Sequence, residues 1–136
     1  MDATALRHEM PAEVEALPAL LDELEAFAEV AGLSPRAAQH LALVTEELAA
    51  NIAIHAKGAS LLRVDIRRQG DSVRLVIEDD GPAFDPLSAT EPDLEAALET
   101  RDIGGLGVHF VRIMTREAAY ERRDGLNRLT ALLDAG

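Results

Sequence analysis

The chain has 136 residues, no cysteine and a net charge of −12 at pH 7. That length holds one domain with a core of its own, the lack of cysteine excludes disulfides and thiol chemistry, and the charge opposes binding to nucleic acid or anionic membrane. One tyrosine and no tryptophan leave no stacking platform for bases, no apolar run reaches membrane-spanning length, and MDATALRHEM lacks a signal-peptide pattern, so a cytoplasmic protein is expected.

Residues 3–9 are expected to form an edge strand. Pro11 is read as opening a helix to Ala31, with Val14, Leu17, Leu21, Leu24 and Ala28 on one face. Pro18 lies inside that span and either kinks the helix or delays its start. Gly32 ends it, Ser34 caps a second helix, and Pro35 fits that helix's first position. In SPRAAQHLALVTEELAANIAIHA, Leu41, Val44, Leu48 and Ile52 form an apolar stripe. Glu47, Asn51 and His55 are four residues apart and stack along one edge of it. Glu46 falls about 140° from Asn51, Glu47 only about 40°. A carboxylate and a carboxamide beside a core-facing stripe need partners. The residues alone leave a solvated margin bonded to loops and a ligand site equally open.

After Lys57-Gly58 the period becomes alternating, with Leu62, Val64 and Ile66 facing one way. Gln69-Gly70-Asp71 turns the chain into a second strand whose apolar face is Val73, Leu75 and Ile77. One further step of two places Asp79 on that inward face, at a strand end broken by Asp80-Gly81-Pro82. The alternative for Asp79 is a turn-initiating aspartate bonded to nearby N–H groups. Residues 82–103 form a long connection with six acids and one base, Arg101, and such a length suits a lid. Gly104-Gly105-Leu106-Gly107 then opens the apolar run VHFVRIM, where N–H groups at a helix start suit phosphate. It is not a P-loop, since no Lys-Ser/Thr follows, and it lacks the third glycine of the dinucleotide fingerprint. Two strands, about 116–123 and 126–133, meet at Asp124-Gly125.

The stretches VTEELAANIAIHA, IEDDGPAFDP and GGLGVHFVRIM, in that order, resemble the ATP-binding domain of the gyrase and histidine-kinase superfamily. Within it the chain most resembles the stand-alone anti-sigma-factor serine/threonine kinases of bacteria, over almost its whole length. The resemblance implies a single domain, 1–136, with the Bergerat-type (histidine-kinase-like) fold: a two-layer α/β sandwich with a mixed, mostly antiparallel sheet and a lid at about 82–103. It implies ATP and Mg²⁺. Asn51 matches the metal-binding asparagine, Glu47 the general base, and Asp79 the acceptor for the adenine amino group. Gly81 matches the glycine that lets the base approach. Gly105 and Gly107, flanking Leu106, match the pair beside the phosphates. His55 matches a position often held by histidine, and Arg101 is the lid's one candidate cation for the γ-phosphate.

The family's Asp-x-Gly-x-Gly reads Asp79-Asp80-Gly81-Pro82-Ala83, so its second glycine is missing. The function implied is a kinase that phosphorylates an antagonist (anti-anti-sigma) protein and otherwise holds a sigma factor, with a homodimer allowed. The alternatives are an ATP-dependent binding switch without transfer and a stand-alone histidine-kinase catalytic module. The last lacks a helical hairpin with an acceptor histidine, since His8 sits in no such context.

Overall fold

The computed structural model describes residues 5–56, 58–85, 87 and 111–136. Most of the expected lid, with Arg101, Gly105, Leu106 and Gly107, lies outside the described residues.

Alternation builds a five-stranded sheet. Its strands are β1 (Ala5–Pro11), β2 (Leu61–Gln69), β3 (Ser72–Asp79), β4 (Glu117–Arg123) and β5 (Leu126–Asp134). The order across the sheet is β1-β2-β3-β5-β4, so β1 is an edge strand as its position in the sequence suggested. All four pairings among the described residues are antiparallel, and no parallel pair occurs among them. Leu62, Val64 and Ile66 of β2 pack with Val73, Leu75 and Ile77 of β3 and with Leu129, Ala131 and Leu133 of β5. All are buried on one face, which period-two patterning requires. Asp124 and Gly125, with φ of 53° and 78°, make the tight turn between β4 and β5 whose hand matches strand twist.

The second layer is helical. α1 (Leu17–Ala31) starts later than the sequence suggested: Pro11 belongs to β1, and a single 3-10 turn over Val14–Ala16 precedes the helix. The cause is Pro18. It has no N–H to donate, so it fits only the first turn, where that donor would be unused anyway. Val14 therefore leaves the apolar face and is 46% exposed, while Leu17, Leu20, Leu24, Phe27 and Ala31 are buried. Leu21 and Ala28 lie at the flank of that face, half-buried. Gly32 caps α1 in the left-handed conformation, φ 68°. Arg68 reaches across to donate to the carbonyls of Ala31 and Gly32, a cation at the negative end of the helix dipole.

The central helix is α2 (Pro35–His55). Ser34 Oγ accepts from the N–H of Ala37 at 3.1 Å, and Pro35 occupies the first turn. Leu41, Val44 and Leu48 are buried, and Ile52 packs at the edge of the same core. α2 lies against α1 on one side and over β3 and β5 beneath. Residues 111–114 are helical, and Val111 enters the same core. Helices on one face of a sheet give the two-layer sandwich expected. No helix among the described residues is long and apolar enough to cross a membrane.

Candidate functional site

β3 ends in two adjacent carboxylates that the strand's alternation sends opposite ways. Asp80 faces out. Its carboxylate accepts from the N–H and hydroxyl of Ser60 and from the N–H of Leu61, tying the end of β3 to the start of β2. The Ser60 hydroxyl bond, with the two backbone N–H bonds, pulls the Asp80 pKa down to about 2.

Asp79 faces in and is only 6% exposed. Its Oδ1 accepts from the N–H of Gly81 at 2.8 Å and from Asn127 Nδ2 at 3.1 Å. The turn-type bond considered for this aspartate is thus present, but it occupies only one oxygen. Oδ2 has no hydrogen bond among the described residues. That oxygen keeps some contact with solvent, since Thr45 Oγ1 is the one fully buried side-chain polar atom without a partner among the described residues, so Oδ2 can accept from a ligand.

Gly81 follows in a space with no room for a side chain. A Cβ there would stand 2.9 Å from Asp79 Oδ1, 3.1 Å from Ala59 Cβ and 3.3 Å from Ala56 Cβ. The same contacts place the end of β3 against the carboxyl end of α2.

On that edge Glu47 and Asn51 are both half-buried, and neither side chain has a hydrogen bond or ion pair among the described residues. The loop bonds that a solvated margin would use are not made by the described residues. Glu47 has its pKa raised, first by desolvation and then by the neighbouring charge of Glu46. Glu46 lies on the opposite flank, lining the groove toward α1, as the helix angle required. His55 is exposed at the helix end. The structure therefore brings Asp79 and Gly81 to the end of the helix bearing Glu47 and Asn51.

Asn127 is a member of the site that reading the sequence missed. It lies directly opposite Asp79 in the β3–β5 ladder and is 7% exposed. Its amide nitrogen donates to Asp79 Oδ1 and, at 2.8 Å, to the carbonyl of Pro82. Its Oδ1 accepts from the N–H of Phe84, the Tyr120 hydroxyl and Arg122. Arg122 also donates to the carbonyl of Gly81 at 2.8 Å. One buried side chain thus fixes Asp79 and the chain leaving it through Phe84. The available signal was the inward alternation Asn127, Leu129, Ala131, Leu133, which parallels the alternation that pointed to Asp79.

The chain has relatives among known proteins. Residues 10–133 match the histidine kinase-like ATPase domain family. The chain belongs to that family. Over 93 residues it is 34% identical to the serine/threonine-protein kinase BtrW of Bordetella bronchiseptica, a match spanning 66% of each chain. Its fold is similar to a chain of the SiaB–SiaC complex from Pseudomonas aeruginosa, with TM-score 0.64 and 17% identity over 94% of this chain and 88% of that one. It is also similar to the Acinetobacter baumannii histidine kinase AdeS, with TM-score 0.51 and 16% identity over 95% of this chain and 68% of that one. At those identities the two structures bear on the fold alone, and both agree with the sandwich. The resemblance read from the sequence is borne out.

A histidine kinase-like ATPase domain implies ATP, and the residues present fit an adenine nucleotide. Among the described residues there is an unbonded oxygen on an inward aspartate, a glycine that lets the turn after it pack against Ala56 and Ala59, and two polar side chains on α2 without partners. No cluster of three or more carboxylates, histidines or cysteines that could hold a metal occurs among the described residues. A Mg²⁺ ion here would take one amide oxygen from Asn51 and the rest of its ligands from phosphates and water, a common arrangement for that ion.

Proposed function

We propose that this protein is an anti-sigma-factor-type serine/threonine kinase that phosphorylates an antagonist protein and regulates transcription by exchanging partners. The observation that carries this reading is the pairing of two features. An inward aspartate stands at the end of β3 with one oxygen unbonded among the described residues, and the helix whose end packs there carries Glu47 and Asn51, whose side chains have no partner among those residues. The identity to a named serine/threonine kinase supports the acceptor class.

Each residue has a distinct task in this proposal. Asp79 Oδ2 accepts from the exocyclic amine of adenine, while Asn127 and the Gly81 N–H hold Oδ1 and so fix the carboxylate's direction. Gly81, with no side chain to displace Ala56 and Ala59, keeps the turn after Asp79 close beside the base. Asn51 supplies its amide oxygen to Mg²⁺. When bound, the metal and nucleotide supply an activated γ-phosphoryl group. Glu47 orients the incoming serine hydroxyl and accepts its proton, and its raised pKa makes it a better base than an ordinary glutamate. Arg101, Gly105, Leu106 and Gly107 are assigned to the phosphates on their sequence match. A cytoplasmic location fits a partner-switching role.

The runner-up is an ATP-dependent switch that binds a partner without transferring phosphate. The clamp that Asn127 places on Pro82 and Phe84, at the point where the family's second glycine is missing, favours it. Mass spectrometry of an antagonist-type protein incubated with the wild type and Mg-ATP separates the two. The kinase reading expects one added phosphoryl group on a serine or threonine, abolished by Asn51→Ala. ATP-dependent complex formation with no added mass selects the switch.

A further inference from the structure

The outer side of the helical layer carries a trough between α1 and α2, on the flank opposite Glu47 and Asn51. Its floor is apolar, with Leu24 and Ala28 of α1 facing Ala38, Ala42 and Leu43 of α2. The small side chains leave a trough of about 660 Å³, room for several side chains from a partner. Its rim is acidic: Glu25 and Glu29 on α1 and Glu46 on α2, with no lysine or arginine among the lining residues.

Those acids stand in unfavourable places. Glu25 and Glu29 are four residues apart, a like-charge pair on one helix face. Glu29 also sits in the last turn of α1, an unfavourable place for an acid, and that turn has no base of its own, although Arg68 of β2 binds its final carbonyls. None of the three has an ion pair or side-chain hydrogen bond among the described residues. Between residues 13 and 56 the sequence has eight carboxylates and one base, Arg36. Like charge without ion-pair partners among the described residues, beside an apolar trough, is a local conflict that folding alone does not explain.

We propose that this trough docks an amphipathic helix of a partner protein whose apolar stripe is flanked by lysine or arginine. Apolar side chains of that helix would fill the space over Ala28, Ala38 and Ala42. Its cations would relieve the repulsion between Glu25, Glu29 and Glu46 and set the helix's direction. This surface is separate from the nucleotide site, and the proposal does not depend on phosphoryl transfer.

The test uses the full chain and two labelled synthetic peptides, each about four turns long, with leucines at helical spacing. One has lysines flanking the stripe, the other glutamates. Fluorescence anisotropy should show binding of the lysine peptide alone, weakening as salt rises. The double variant Glu25→Lys/Glu29→Lys should lower that affinity about tenfold or more, and Ala42→Trp, which fills the trough without changing charge, should lower it similarly. Glu15→Lys/Glu23→Lys makes the same charge change off the trough and should leave affinity within about twofold. Equal binding of both peptides, binding of neither, or equal losses in the two charge-reversed variants would overturn the proposal. An unchanged affinity in Ala42→Trp, with circular dichroism showing a folded chain, would overturn it as well.

Discussion

Replacing Asn127 with alanine should damage the fold and the site together, and the size of the effect can be worked from its bonds. The amide group serves six residues: Asp79, Gly81 and Pro82 through its nitrogen, Phe84, Tyr120 and Arg122 through its oxygen. Tyr120 is half-buried and Arg122 exposed, so both regain water and lose little. Asp79 Oδ1 keeps the Gly81 N–H but loses a donor while remaining buried. The Pro82 carbonyl and the Phe84 N–H lose the partners recorded for them. Leaving a buried polar group short of a partner costs roughly 1–3 kcal/mol. With water reaching part of this cluster, about 2–4 kcal/mol of stability should be lost, a large share of the roughly 5–15 kcal/mol a domain has. Urea denaturation of wild type and variant, fitted with a common slope, measures it directly. A midpoint unchanged within error would mean that Asn127 does not hold the end of β3. The account of how Asp79 is aimed would then fail.

Further outcomes are expected at Gly81, Glu47 and Asp80. Gly81→Ala puts a methyl group 2.9 Å from an oxygen already held by two donors, so it should cost about 1–3 kcal/mol and weaken ATP binding, read by thermal unfolding and calorimetry. Glu47→Gln should slow phosphoryl transfer about 10²–10⁴-fold in a phosphorylation assay while sparing nucleotide affinity, whereas Glu46→Ala should leave that affinity unchanged. Because the folded-state pKa of Glu47 is raised, its ionisation opposes folding as pH rises past the ordinary glutamate range, so Glu47→Gln should be slightly more stable at pH 7, by less than ~1 kcal/mol. The Asp80 pKa is lowered from 3.8 to about 2, so its contribution is present above pH 3.8 and lost as pH falls through 2; Ser60→Ala should flatten that acid limb in a plot of Tm against pH.

Local chemistry made much of this molecule legible. The Ser34 cap, the Gly32 stop, the turn at Asp124-Gly125 and the inward register of Asp79 each depend on residues a few positions apart, and each stands where the sequence put it. The start of α1 was less legible. Apolar spacing alone ran the helix back through Pro18, and the missing N–H decided against it. Asn127 was illegible for a different reason. Its role exists only because β5 pairs with β3 in a register that sets it opposite Asp79, and nothing near it in the chain announces that pairing. Asp80 shows the same limit. Next to Asp79 in sequence and identical in type, it was assigned no task until Ser60 was seen beside it.

The central claim is that adenine is recognised by the Asp79 oxygen that has no partner among the described residues. Isothermal titration of wild type and Asp79→Asn with Mg-ATP and Mg-GTP tests it most directly. The wild type should bind ATP well and GTP poorly, because Asp79 accepts from adenine's amine but would face guanine's carbonyl. Asp79→Asn should lose about 1–3 kcal/mol of ATP affinity. Equal binding of the two nucleotides by the wild type, or equal ATP affinity in wild type and variant, would contradict the account.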